Sequence, residues 1–96
     1  MSAACPILVF AVEFQLRPHL DAPIVAALQG SFLTEVIAAR GLTSRGAHRG
    51  ERWSCVVRGE AGQAAAADRK AVLAWARARP EIVSAEVGQV VDLTDT

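Results

Sequence analysis

The stretch Ile7-Leu-Val-Phe-Ala-Val-Glu-Phe-Gln-Leu16 decides the fold. Successive side chains of an extended chain point to opposite faces, so Leu8, Phe10, Val12, Phe14 and Leu16 make one wholly apolar row. Ile7, Val9 and Ala11 begin a second row, which Glu13 and Gln15 turn polar. A strand apolar along one face and half of the other belongs inside a sheet, with helices on the first face and partial cover on the second. It is shorter than the ~18 residues that cross a bilayer, and no cation precedes it as in a signal peptide. The stretch therefore predicts a central strand and no membrane association.

Working outward, Arg17-Pro18 ends this strand, because proline cannot donate to a ladder. Asp21 followed by Pro23 predicts a helix start, with a side-chain acceptor at the cap and a ring in the first turn. Ile24, Leu28, Phe32 and Val36, flanked by Val25, Leu33 and Ile37, keep a helical period up to a stop at Arg40-Gly41. Gly30 interrupts this helix, either to permit close approach to the sheet or at a plain cost in propensity. Thr43 to Arg58 predicts two strands joined by a turn around His48-Arg49-Gly50. The first, Ser44 to Ala47, is short and polar and suits an edge. In the second, Trp53, Cys55 and Val57 face inward, while Arg52, Ser54, Val56 and Arg58 face outward. Gln63 to Ala78 predicts a second helix with Ala67, Ala71, Ala74, Trp75 and Ala78 as its inner stripe. Ile82 to Leu93 supplies a last strand, with Val83, Ala85, Val87 and Val91 on one side and Glu86, Gly88 and Val90 on the other.

The order strand, helix, strand, strand, helix, strand, with right-handed crossovers, predicts an α+β ferredoxin-like βαββαβ sandwich. Both helices lie on one face of a four-stranded antiparallel sheet. The 96 residues form a single domain, 1–96, with 1–5 and 94–96 as frayed tails. The face away from the helices carries Ile7, Val9 and Ala11 beside Arg52, Ser54, Val56 and Arg58. An apolar centre with a cationic margin fits an interaction surface.

Ten Lys and Arg balance ten Asp and Glu, so net charge points to neither general nucleic-acid affinity nor an acidic tail. The distribution says more: nine of the ten cations are arginine, and Arg45, Arg49, Arg52 and Arg58 fall within fourteen residues. Arginine's planar fork suits phosphate; the plainer alternative is a solvated strand pair kept soluble by arginine. Cys5 and Cys55 lack metal-site spacing and read as reduced thiols, Cys55 acting as a small hydrophobe, with their pairing left open. No catalytic group is assigned. His19 and His48 lie in connections without a carboxylate or thiol at a telling spacing. Gly41, Gly46 and Gly50 do not form a phosphate loop, and the outward positions of the third strand lack the aromatics on which an RNA-recognition motif stacks bases. No cofactor or metal is implied.

Several pieces keep a shared order and spacing over some ninety residues: the apolar first strand; Phe32-Leu-Thr-Glu-Val-Ile37 with Leu42 beyond it; Gly46 and Trp53; Asp68-Arg69 leading to Val72 and Trp75; and Pro80, Val83 and Glu86-Val-Gly-Gln-Val-Val-Asp92. From Pro6 to Asp95 the sequence thus resembles the YggL family, small bacterial proteins associated with the large ribosomal subunit. The resemblance implies a non-enzymatic cytoplasmic protein that binds the 50S subunit, through rRNA or a ribosomal protein. Arg45, Arg49, Arg52 and Arg58 are the candidate contacts. The alternative of a different class is a ferredoxin-like homodimer closing sheet on sheet, or a protein-interaction module. It would hold a small molecule between helices and sheet, with His19 or His48 near the pocket.

Overall fold

The computed structural model describes residues 7–60 and 65–92; the two tails, the residues before Ala65 and Cys5 lie outside them. β1 (Ile7–Leu16) runs through the middle of an antiparallel sheet, as its two-sided apolar pattern requires. On one edge it pairs with β3 (Arg52–Glu60), from Ile7↔Glu60 to Gln15↔Arg52. Its other edge pairs with β4 (Ile82–Val87) and then β5 (Val91–Asp92). β2 (Thr43–Arg49) lies outside β3, so the order is β2-β3-β1-β4, with β5 continuing alongside β1.

The sheet has five strands because the expected last strand is broken at Gly88–Val90. Glycine inside a strand weakens it and often marks a bend. The Gly88 N–H still donates to the Ala11 carbonyl at 2.8 Å, but Val91 rather than Val90 then comes opposite Val9. This one-residue shift turns Val90 toward the core, correcting its expected outward position, and leaves Val91 exposed. A second irregularity, where β1 shifts between Gln15 and Leu16, sets Ile82 opposite Leu16 and into the core. Val83, expected to face the same way as Ala85 and Val87, is instead 58% exposed.

One helical run covers the apolar face first: α1 (Ala22–Phe32), then a π turn Leu33–Ile37 and a 3-10 turn Ala38–Arg40. Asp21 holds the cap position with extended backbone, but its side chain makes no capping bond; the Val25 N–H donates to the Asp21 carbonyl at 3.1 Å. The buried face is Val25, Leu28 and Phe32, then Val36 and Ile37. Leu28, Phe32 and Val36 face inward as expected, but Val25 takes the place of Ile24, which is 41% exposed, and Leu33 is exposed too. Adjacent Val36 and Ile37 both lie inward in the π turn. Gly41, at φ 68°, ends the run. Its N–H donates to Ala38 (3.1 Å) and that of buried Leu42 to Ile37 (2.8 Å), the two bonds of a Schellman stop. The 19 residues Ala22–Arg40 are long and apolar enough to cross a membrane by length and composition, yet their apolar stripe packs on the sheet.

α2 (Ala65–Arg77) lies on the same side. Its inner face is Asp68, Val72, Trp75 and Ala76, with Ala71 partly covered. Ala67, Ala74 and Ala78, expected inward, are exposed. In a helix this rich in alanine the bulk of Val72 and Trp75 sets the rotation, and the small residues go where they fall.

The centre of the core is aromatic. Phe14 of β1, Phe32 of α1, Trp53 of β3 and Trp75 of α2 all touch one another, with ring centroids 4.6–6.3 Å apart. Such pairs contribute about 0.5–1.5 kcal/mol beyond their buried area. They tie both helices to the two middle strands and leave the opposite face of the sheet uncovered by any described residue.

Candidate functional site

The arginine cluster is positioned by a hairpin. Gly50, at φ 59°, and Glu51 form a two-residue loop in which a positive φ is natural for glycine. The turn is therefore Gly50–Glu51 rather than His48–Gly50, and β2 runs unbroken from Thr43 to Arg49. This loop makes Arg49 pair with Arg52, and the register follows: Ala47↔Ser54, Arg45↔Val56 and Thr43↔Arg58. Residues directly opposite in an antiparallel pair point to the same face. Arg45, Arg49, Arg52 and Arg58 therefore share one face, the one turned away from the helices.

β1 and β4 complete that face. Gln15, Glu13, Ala11 and Val9 lie opposite Arg52, Ser54, Val56 and Arg58, and Glu86 lies opposite Glu13. At the centre Val56 is 48% exposed. Around it a trough of about 540 Å³ is lined by Ala11, Ala47, Ser54 and Gly88, with Arg45, Glu13 and Glu86 at its sides. Arg52 reaches Glu13 at 3.5 Å, an exposed pair of the kind that contributes about 0–1 kcal/mol. Among the described residues no carboxylate pairs with Arg45, Arg49 or Arg58. Their guanidinium groups keep their hydrogen-bonding capacity for a phosphate or carboxylate, which a planar fork binds bidentately.

The β2 backbone approaches β3 unusually closely at Gly46. A Cβ there would lie 2.4 Å from the Ser54 carbonyl oxygen and 2.6 Å from Cys55 Cβ. Behind this contact Cys55 is a buried free thiol. Burial pushes it above the ordinary thiol range, and a hydrogen bond with Ser44 pulls more weakly the other way.

A family model described as YggL 50S ribosome-binding protein matches residues 5–94, nearly the whole chain. The chain belongs to this family. No curated protein matches it. In this YggL-family chain the shared pieces noted in the sequence divide by task. Phe32, Val36, Ile37, Trp53, Val72 and Trp75 build the core, and Gly46 permits strand contact.

Asp68, one of those pieces, carries an interaction that the sequence alone did not assign. It is 2% exposed, and Arg40 Nε donates to its Oδ1 at 2.6 Å, joining α2 to the end of the first helical run. Its only sequence signal is an aspartate at an inward position of an alanine-rich helix. Arg79 stacks 5.1 Å above Trp75 and pairs with Glu35 at 2.6 Å, and Arg69 donates to the Val87 carbonyl at 3.3 Å. These arginines are structural and stand apart from the uncovered face.

His19 and His48 are exposed and come to one surface hollow of about 240 Å³, beside Leu20, Val25 and Glu51. Among the described residues no three His, Cys, Asp or Glu side chains are grouped to hold a metal ion.

Proposed function

We propose that this YggL-family chain is a non-enzymatic protein of the cytoplasm that binds the large ribosomal subunit through the uncovered face of its sheet. Arg45, Arg49, Arg52 and Arg58 meet rRNA phosphates in this reading, and Val56 supplies the apolar centre. The observation that carries it is the hairpin register, which gathers four arginines on one face, where Arg45, Arg49 and Arg58 have no acidic partner among the described residues. The order β2-β3-β1-β4, with both helices on one side, supports a ferredoxin-like sandwich whose fourth strand is split. Each phosphate neutralised releases counterions, so affinity should fall steeply with salt.

The test is co-sedimentation of the protein with large subunits at low and high salt. Arg45→Glu/Arg58→Glu should lose binding and retain the wild-type melting temperature, since both side chains are exposed and pair with no carboxylate among the described residues. Undiminished binding by the folded variant would refute the assignment of this face.

A further inference from the structure

Over the middle of the uncovered face the charged side chains that the structure describes are sorted. Arg45, Arg49, Arg52 and Arg58 sit on β2 and β3, while Glu13 and Glu86 sit directly opposite each other on β1 and β4, both exposed. Like charges in that relation repel. Arg52 offsets Glu13 at 3.5 Å, and no cation among the described residues pairs with Glu86. A phosphate backbone laid across the whole face would meet attraction on one half and repulsion on the other. The trough between the halves has a floor of Ala11, Ala47, Ser54 and Gly88 around the exposed Val56, and no aromatic on which a base could stack.

Resting on the ribosome-binding reading, we infer that the trough holds an extended, lysine- or arginine-bearing polypeptide segment of a large-subunit protein. Its cations lie against Glu13 and Glu86, beside the rRNA phosphates engaged by the arginine half. The small-residue floor admits the backbone and short side chains of such a segment. The two carboxylates give it its charge specificity, which at interfaces fixes partner and register. The face is then a reader of a junction between RNA and protein rather than of RNA alone.

Glu13→Gln/Glu86→Gln tests this with two probes, intact large subunits and protein-free large-subunit rRNA. Both substitutions are isosteric and exposed, and they relieve the opposed charges, so melting should not fall. The expected result is binding to intact subunits weakened about 3- to 10-fold, as for the loss of two partly exposed ion pairs. Binding to bare rRNA should be equal or tighter. Tighter binding to both probes would mean that RNA alone covers the face. Weaker binding to both would mean that Glu13 acts by holding Arg52, and no change on intact subunits would leave the carboxylates without a partner; each overturns the inference. So would sedimentation equilibrium showing a wild-type dimer that the double variant dissolves. If Arg45→Glu/Arg58→Glu binds subunits as well as wild type, the ribosome-binding reading itself falls, a separate result from any of these.

Discussion

Replacing Gly46 with alanine should weaken the protein through the backbone rather than through any lost contact. The new Cβ would meet the Ser54 carbonyl oxygen at 2.4 Å, Cys55 Cβ at 2.6 Å and Cys55 Cα at 2.9 Å. None of these is the end of a flexible side chain, so β2 must retreat from β3 by about 1 Å to restore ordinary contact distances. Overpacking of this kind costs about 1–3 kcal/mol, a sizeable part of the ~5–15 kcal/mol that holds a domain together. For a domain of this size each kcal/mol moves the melting temperature by about 4–8 °C, so Gly46→Ala should melt roughly 5–20 °C lower. Gly30→Ala is the matched control. Its Cβ would meet nothing within 4 Å, so the helix propensity of alanine should stabilise by up to about 1 kcal/mol. Thermal and urea denaturation of the two variants, with hydrogen exchange read along β2, gives the comparison. Equal melting of Gly46→Ala and wild type would refute the close approach of the strands, and a destabilised Gly30→Ala would refute the open surroundings at that position.

Two further outcomes concern the helix side and the buried thiol. Arg40→Ala should destabilise more than Asp68→Ala, because it strands a carboxylate 3% exposed, whereas Asp68→Ala leaves a guanidinium 36% exposed that can turn to water. Breaking a buried pair costs about 3–5 kcal/mol when the charge left behind is enclosed, and urea midpoints of the two variants check the order. The Cys55 thiol has a folded pKa raised above the unfolded value by burial. Its contribution is therefore complete below the unfolded pKa, near 9, and declines as pH rises through the folded one. Unfolding free energies measured across alkaline pH should show this component in wild type and not in Cys55→Ala.

The parts of the fold visible in the sequence were those fixed by strong, local patterns. β1 announced itself because every second residue from Leu8 to Leu16 is large and apolar, and Trp53, Cys55 and Val57 alternate with Arg52, Ser54, Val56 and Arg58. The inner faces of the helices were less legible. Around Ile24 and Val25 apolar residues crowd both sides of the helix, and in α2 alanines on every side left Val72 and Trp75 to set the rotation. The positions of Val83, Val90 and Val91 depended on two register shifts against β1, which are tertiary events with only Gly88 as a local sign. The arginine face was half legible. The parity of Arg52 and Arg58 followed from β3, but that of Arg45 and Arg49 depended on the length of the loop. A two-residue loop at Gly50–Glu51 pairs Arg49 with Arg52 and brings all four together, and a loop longer by one residue would have sent Arg45 and Arg49 to the helix side. The Asp68–Arg40 pair joins elements 28 residues apart, beyond the reach of any local pattern.

The most direct test of the central claim is the salt dependence of binding to purified large subunits, for wild type and for Arg45→Glu/Arg49→Glu/Arg58→Glu. Four phosphate contacts, each contributing about 0.7–0.9 to the slope of log affinity on log salt, predict a roughly 50- to 150-fold loss for wild type between 50 and 200 mM salt. The triple variant should remain folded and show no binding at either concentration. A variant that binds like wild type, or a wild-type affinity indifferent to salt, would contradict the account.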